Sequence, residues 1–242
     1  MSGCEPPTSC PPPRVTGKRL MRTLFIGDVH GCAEELDALL KECGWQPGER
    51  VVLVGDLVAK GPDSAGVVQR ARELRLLAVR GNHDEHVLRW HQGHQKPGKK
   101  LKPEHQKVLD TLSPADWRYL DSLPLYLRLP DLNVLAVHAG IVPGVPLREQ
   151  RQEHLLNLRS ISPEGKPSKR VSAGAPWGSF WKGPELILYG HDAVRGLQRH
   201  KHAYGLDSGC VYGGQLTAYV LPEGRFYSVP ARRSYMYMDA NP

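Results

Sequence analysis

The chain has 242 residues, 32 Lys and Arg against 25 Asp and Glu, and a formal charge of +7. Its 40% hydrophobic and 24% charged residues are the proportions of a folded domain and exclude a chain disordered throughout. No apolar run approaches the roughly 20 residues of a membrane-spanning helix.

In chain order, residues 1–20 hold Pro11-Pro12-Pro13 and read as a disordered Pro-rich leader. A strand is predicted over 24–26, and a helix over 34–43, where Leu36, Leu39, Leu40 and Cys43 fall at i, i+3, i+4 and i+7. A buried strand over 51–54, a helix over 64–74 and a strand over 76–79 complete a β-α-β-α-β run long enough for parallel pairing. A helix follows from Asp84 to about Trp90. Residues 91–107 read as a polar, basic insert, and a short helix follows Pro114. Strands are predicted over 125–129, 134–137, 186–189, 216–221 and 225–229, the last two joined by Pro222-Glu223-Gly224. The stretch 141–183 holds a helical segment at 151–159 and a Pro, Gly and Ser-rich loop. Nothing inside 21–230 demands a second domain, and 231–242 reads as a flexible C-terminal tail.

The predicted strands end alike. Residues 24–26 run into Gly27-Asp28-Val29-His30-Gly31, and 51–54 into Gly55-Asp56. Residues 76–79 precede Arg80-Gly81-Asn82-His83-Asp84, 134–137 end in His138-Ala139-Gly140, and 186–189 in Gly190-His191-Asp192. A single Asp after a strand is usually a helix cap, and a single His is usually a satisfied polar residue. Five strand ends with the same chemistry are not five independent caps. In an open α/β sheet they would gather at the carboxyl edge, where ligands bind.

Carboxylate, carboxamide and imidazole without thiolate suit two divalent ions such as Mn, Fe or Zn. One ion would take Asp28, His30 and Asp56, the other Asp56, Asn82, His138 and His191, with Asp56 bridging. Two ions and two carboxylates leave a net positive centre, suited to phosphate. The basic surplus favours polyanionic partners generally. Five cysteines with no CxxC argue against a zinc ribbon or redox pair. With no secretory signal, the chain reads as cytoplasmic, with mitochondrial import the alternative.

As a set, these motifs resemble the calcineurin-like metallophosphoesterases of the phosphoprotein phosphatase superfamily. The family pattern GDxHG, GDxxxxG, GNH[DE], H[GA]G and GH matches residues 27–31, 55–61, 81–84, 138–140 and 190–191. The sequences GDLVAKGPDS, HAGIVPGVPL, GHDAVRGLQ and GLDSGCVYGGQLTA are similar to the ApaH-like branch. The resemblance implies an α/β fold of four layers, a central β-sandwich flanked by helices. It implies a phosphohydrolase with two divalent ions, Mn first and Fe, Zn or Co as alternatives, hydrolysing phosphoanhydrides by attack of metal-bound hydroxide.

It further implies His83 as the general acid, with Asp84 orienting its ring, and Lys60 as a phosphate-binding cation where protein phosphatases have Arg. Arg159 is expected as a second clamp, with Arg148 and Arg151 as competitors. The substrates expected are dinucleoside tetraphosphates, other nucleoside polyphosphates or capped RNA, with no membrane or DNA partner. Phosphoprotein dephosphorylation is the alternative, and a non-catalytic phosphate- or RNA-binding scaffold a third reading. The lysines between residues 95 and 107 read as a solvated loop or as a basic lip for a longer polyanion.

Overall fold

Alternation along short strands builds this molecule from the inside out. The computed structural model describes residues 20–94 and 98–238. Apart from Leu20, the leader expected at 1–20 lies outside the described residues, as does Lys96. In chain order the elements are β1 (Thr23–Ile26), α1 (Ala33–Glu42), β2 (Arg50–Leu53), α2 (Ser64–Glu73), β3 (Leu77–Ala78), α3 (Asn82–His91) and α4 (Pro103–Thr111). Then come α5 (Pro114–Ser122), β4 (Tyr126–Leu129), β5 (Val134–Val137), α6 (Gln152–Asn157), β6 (Ser160–Ile161), β7 (Pro167–Ser168) and β8 (Ala175–Pro176). The chain closes with β9 (Leu186–Tyr189), β10 (Gln198–Arg199), β11 (Ala203–Gly205), β12 (Gln215–Leu221) and β13 (Arg225–Pro230).

Two five-stranded sheets result, in the orders β13-β12-β1-β2-β3 and β10-β11-β9-β5-β4. Successive strand side chains point to opposite faces, so each central strand is buried twice. Phe25, Val52, Val54, Val134, Ala136 and Leu188 meet between the sheets. On the outer face of the first sheet, Leu24, Ile26, Val51 and Leu53 pack under Leu36 and Leu39 of α1 and Val67 and Val68 of α2. On the outer face of the second, Leu135, Val137, Ile187 and Tyr189 pack under Leu155, Leu158 and Trp177. Helices, sheet, sheet, and a layer of helix and loop make the four layers that the resemblance implies.

β1, β2 and β3 pair in parallel as the helical crossovers require. Reading the site on a single open sheet needs correction, however. Three of the five site-bearing strands, β1, β2 and β3, lie in one sheet, and β5 and β9 in the other. β1, β2, β5 and β9 are covered on both faces and so look alike in sequence, while edge strand β3 leaves Leu77 exposed.

Two further expectations change. The basic insert is partly helical: Pro103 supplies a preset φ at the start of α4, and His105 and Val108 turn inward to be buried. Residues 231–238, expected as the start of a flexible tail, are tied to the body. Arg232 N–H and the Tyr235 hydroxyl both donate to Glu35 Oε1, at 3.1 and 2.8 Å. Among the described residues, no helix is long and apolar enough to cross a membrane.

Candidate metal centre and active site

Loops at the carboxyl ends of β1, β2, β3, β5 and β9 converge on one cleft of about 290 Å³. It is lined by Asp28, His30, Asp56, Lys60, Asn82, His83, Arg159 and His191 among others. His138 is fully buried beside it, its Nε2 3.6 Å from Asp56 Oδ1. The structure therefore brings together all six expected metal ligands. They arrive from both halves of the sandwich, across sequence separations as long as the 163 residues between Asp28 and His191.

The backbone bends unusually to deliver them. His30, Asp56 and His191 hold φ of 47°, 51° and 69°, in the left-handed region that non-glycine residues rarely occupy. Strain of this kind persists where the surroundings impose it. Here the neighbours are glycines placed for close approach. A Cβ on Gly81 would lie 2.1 Å from the Asp56 carboxylate, and one on Gly190 would lie 1.9 Å from that of Asp28. These two glycines exist to let loops from different strands pass within contact distance of a ligand.

Asp56 is the centre of the arrangement. Its Oδ2 lies 3.4 Å from His30 Nε2, and its Oδ1 lies 3.6 Å from His138 Nε2. Two groups able to hold an ion share it: His30, Asp56 and His83 form one, and Asp56, His138 and His191 the other. In each group the candidate ligand atoms lie within 4.8 Å of one another. Asn82 Oδ1 adjoins the second group, 2.9 Å from His138 Nε2. Asp28 lines the same cleft, its carboxylate accepting the His191 backbone N–H at 3.0 and 3.1 Å.

The histidine tautomers fit the same purpose. His30 Nδ1 lies 3.1 Å from Val58 O and His138 Nδ1 lies 3.0 Å from Val54 O. A carbonyl can only accept, so both protons sit on Nδ1 and both Nε2 lone pairs face the cleft, the arrangement of metal-binding imidazoles. His191 Nε2 is buried with no hydrogen-bond partner. An orphaned ring nitrogen beside a carboxylate shared by two histidines is what a divalent ion would satisfy.

Electrostatics agree. Asp28, Asp56 and Asp207 are buried close enough to repel one another. Burial first, then Asp207 and Asp56, pushes the Asp28 carboxyl well above the usual range. Burial raises Asp56 to about 6, against the opposing pull of Lys60. Burial and the Asp56 charge raise Asp84 to about 7. His30 and His191 are held well below the ordinary imidazole value, chiefly by burial, and His138 at about 4 for the same reason. The imidazoles are thus neutral and ready to ligate, while the carboxylates lack sufficient positive charge.

A prediction follows from the sign of these shifts. A carboxyl raised in the folded state stabilises the fold at low pH and loses that contribution as pH rises through its folded value. The buried imidazoles, held below their ordinary value, act in the opposite sense up to about pH 6.5, so chelator-treated protein should lose melting temperature only above that pH. Added Mn²⁺ should restore it, with a larger gain at the higher pH. A Tm unmoved by Mn²⁺ in thermal denaturation would argue against this cluster as a metal site.

Other expected residues are placed as follows. His83 lines the cleft, and its backbone N–H donates to Asp56 Oδ1 at 2.8 Å, fixing the shared carboxylate from the first turn of α3. The expectation that Asp84 orients the His83 ring is corrected. Asp84 Oδ2 accepts the Gly81 N–H at 2.9 Å, and Oδ1 accepts those of Leu57 and Val58 at 3.0 and 3.2 Å. At the third position of α3 its side chain points back over the helix start. It clamps the loop behind Asp56 and spends its oxygens on backbone.

The partner of the His83 ring is instead His105 of α4, with His83 Nδ1 and His105 Nε2 2.9 Å apart and the rings stacked at 7°. His105 Nδ1 itself is buried without a hydrogen-bond partner, 4.0 Å from the Glu104 carboxylate. Either ring can carry the shared proton; with it on His83 Nδ1, His105 Nε2 accepts.

Lys60, at φ 65°, places Nζ 3.0 Å from His30 Nε2 and 5.3 Å from the Tyr212 ring centroid. The Asp56 charge keeps its ammonium protonated against the effect of burial. Arg159 donates to His191 O at 3.2 Å and Lys169 O at 3.1 Å, with Nε 3.7 Å from Asp192. Arg148 and Arg151 are largely exposed, lie outside the cleft and pair with Glu149 and Glu153.

Sequence reasoning missed His105 and Asp207, and gave Asp192 and Tyr212 no part in the metal site or the phosphate clamp. Asp207 follows the three-residue strand β11 through Gly205-Leu206, the same strand-Gly-Asp signal in a strand too short to register as an apolar run. Cys32 and Cys210 flank the site but are buried free thiols, with the Cys32 thiol held far above its ordinary value by Cys210 and burial.

Comparison with known proteins agrees with this geometry. The family model described as calcineurin-like phosphoesterase matches residues 21–222. An asymmetrical bis(5'-nucleosyl)-tetraphosphatase of Oceanobacillus iheyensis is 31% identical, covering 89% of this chain and 95% of its own. A symmetrical bis(5'-nucleosyl)-tetraphosphatase of Hamiltonella defensa is also 31% identical, with 87% and 98% covered. A crystal structure of a candidate diadenosine tetraphosphatase superposes with a TM-score of 0.80 at 37% identity, over 88% of this chain and 94% of that one. A protein serine/threonine phosphatase from Saccharomyces cerevisiae, at 18% identity and a TM-score of 0.56, shares the fold.

Proposed function

This chain belongs to the calcineurin-like phosphoesterase family, and we propose that within it the protein hydrolyses phosphoanhydride bonds of nucleoside polyphosphates, dinucleoside tetraphosphates foremost. The observation that carries the reading is one buried carboxylate, Asp56, common to two clusters of potential ligands. Relatives named for tetraphosphatase activity, matched along nearly their whole length, support the substrate class.

Asp28, His30 and Asp56 would hold one divalent ion, and Asp56, Asn82, His138 and His191 the other. An oxygen- and imidazole-rich set without thiolate favours Mn²⁺, with Fe, Zn or Co as alternatives. When bound, two such ions supply Lewis-acid polarisation of a phosphoryl oxygen and acidify the attacking water.

The chain's own residues do the rest. The His83 N–H bond and the Asp84 clamp keep Asp56 in one orientation before substrate arrives, so little reorganisation is left for the reaction. Lys60, a point charge rather than a planar fork, neutralises a phosphate oxygen without demanding one geometry. Arg159 offers the guanidinium that can engage oxygens in pairs, and its contacts with His191 O and Asp192 fix its place. His83 presents Nε2 to the cleft and, once protonated there, donates to the leaving oxygen while His105 holds Nδ1.

Steady-state rates measured side by side on diadenosine tetraphosphate (Ap4A), capped RNA, inorganic polyphosphate and a phosphopeptide test this reading. Ap4A is expected to give the highest kcat/KM, and analysis of its products shows which phosphoanhydride is cut. A phosphopeptide preference would move the protein to the phosphoprotein phosphatase alternative.

A further inference from the structure

Apolar surface is exposed where the polar cleft opens. Of nine large hydrophobic side chains exposed among the described residues, Val194, Tyr237 and Met238 line this one cleft. Such clustering sets them apart from the scattered apolar residues of ordinary surfaces. Tyr237 is 93% exposed, an aromatic ring free on both faces beside a site built for phosphate.

The segment that carries it is nonetheless fixed. Tyr235 N–H and Met236 N–H donate to Val211 O at 2.9 and 3.1 Å, and Ala231 N–H donates to Gly214 O at 2.9 Å. The Tyr235 hydroxyl and Arg232 N–H are held by Glu35. Val211 belongs to the same turn as Tyr212, which flanks Lys60. The end of the chain is therefore tied to the turn beside the phosphate-binding lysine. Because the backbone is held up to Met236, the residue next to Tyr237, a ligand stacking there meets a segment already anchored to the cleft.

The cleft is small, about 290 Å³, at the lower edge of the range for cavities that enclose a drug-sized molecule. It has room for phosphates, and the remainder of a nucleotide has to lie at the lip. We propose that the segment 234–238 forms a nucleobase subsite in which Tyr237, in the same cleft lining as Met238 and Val194, stacks on the base of a nucleotide whose phosphates occupy the cleft. This deepens the reading of the protein as a nucleoside polyphosphate hydrolase and rests on it. Stacking on one aromatic face tolerates any base, so the subsite selects for the presence of a base and not for its identity.

Two measurements on the full-length chain with Mn²⁺ test the subsite. In the first, KM is compared for Ap4A and for inorganic tripolyphosphate, which has no base. Tyr237→Ala should raise KM for Ap4A relative to tripolyphosphate by roughly 5- to 100-fold, and Tyr237→Phe, which keeps the ring, should restore the wild-type ratio. An unaltered ratio in Tyr237→Ala overturns the subsite.

In the second, adenosine 5'-monophosphate and inorganic phosphate compete against p-nitrophenyl phosphate. The wild type should bind the nucleotide more tightly than phosphate, and Tyr237→Ala should erase the difference. A wild type that fails to hydrolyse Ap4A yet keeps this Tyr237-dependent nucleotide preference sinks the substrate reading alone. No nucleotide preference in the wild type sinks the subsite.

Discussion

Replacing Asp56 by Asn should leave no measurable phosphohydrolase activity with Mn²⁺, on p-nitrophenyl phosphate as well as on Ap4A. The substitution keeps shape and volume, and the amide oxygen can still accept the His83 N–H. What is lost is the negative charge and the second oxygen, so His30 on one side and His138 on the other no longer share one anionic partner. The variant should also retain less Mn²⁺ after dialysis. Stability separates this from simple misfolding. Removing a buried carboxylate raised to about 6 should leave the metal-free variant at least as stable at about pH 8 as the metal-free wild type. Full activity in Asp56→Asn would contradict the shared-carboxylate centre.

His83→Asn should slow hydrolysis by roughly 10²–10⁴ where the leaving group needs a proton, and much less for p-nitrophenyl phosphate, whose leaving oxygen departs unaided. His105→Ala should produce the same pattern in weaker form, because it frees the His83 ring without removing it. The rings are 2.9 Å apart through Nδ1 and Nε2, and without His105 nothing described at that nitrogen replaces the contact. Rates on an alkyl phosphate and on p-nitrophenyl phosphate, with each variant compared to wild type, provide the check. Equal losses on both substrates for His83→Asn would remove it from the role of acid.

The site could be read from sequence because its chemistry is local to strand ends. Each proposed ligand stands within four residues of an apolar run, and the run marks the place. The same locality explains the failures. His105 lies in a lysine-rich stretch with no apolar run to mark it, and its burial depends on α4 packing against α3. Asp84 was legible as a helix cap, but sequence could not show that its second oxygen reaches Leu57 and Val58. Lys60 and Arg159 were named through resemblance, and only the packing around His191 and Asp192 sets Arg159 apart from Arg148 and Arg151. For the fold, the short continuous apolar run gave β1, β2, β5 and β9. It could not say that three of the site strands lie in one sheet and two in the other, since strands covered on both faces lose the alternation that would assign them. The short strands of residues 160–176 and β10 carry no pattern long enough to see.

The basic surplus of the chain also takes a more definite form. Lys60, Arg159, Lys102 and Glu104 line the cleft. Of the other lysines between residues 95 and 107, Lys107 is engaged with Pro62 O at 2.6 Å, away from any role as a free basic lip.

The central claim is two ions sharing Asp56. Crystals grown with Mn²⁺ and measured by anomalous scattering test it most directly. The account predicts two anomalous peaks, one on each side of the Asp56 carboxylate, the first against Asp28 and His30 and the second against Asn82, His138 and His191. A single peak, or peaks only at surface carboxylates, would contradict it.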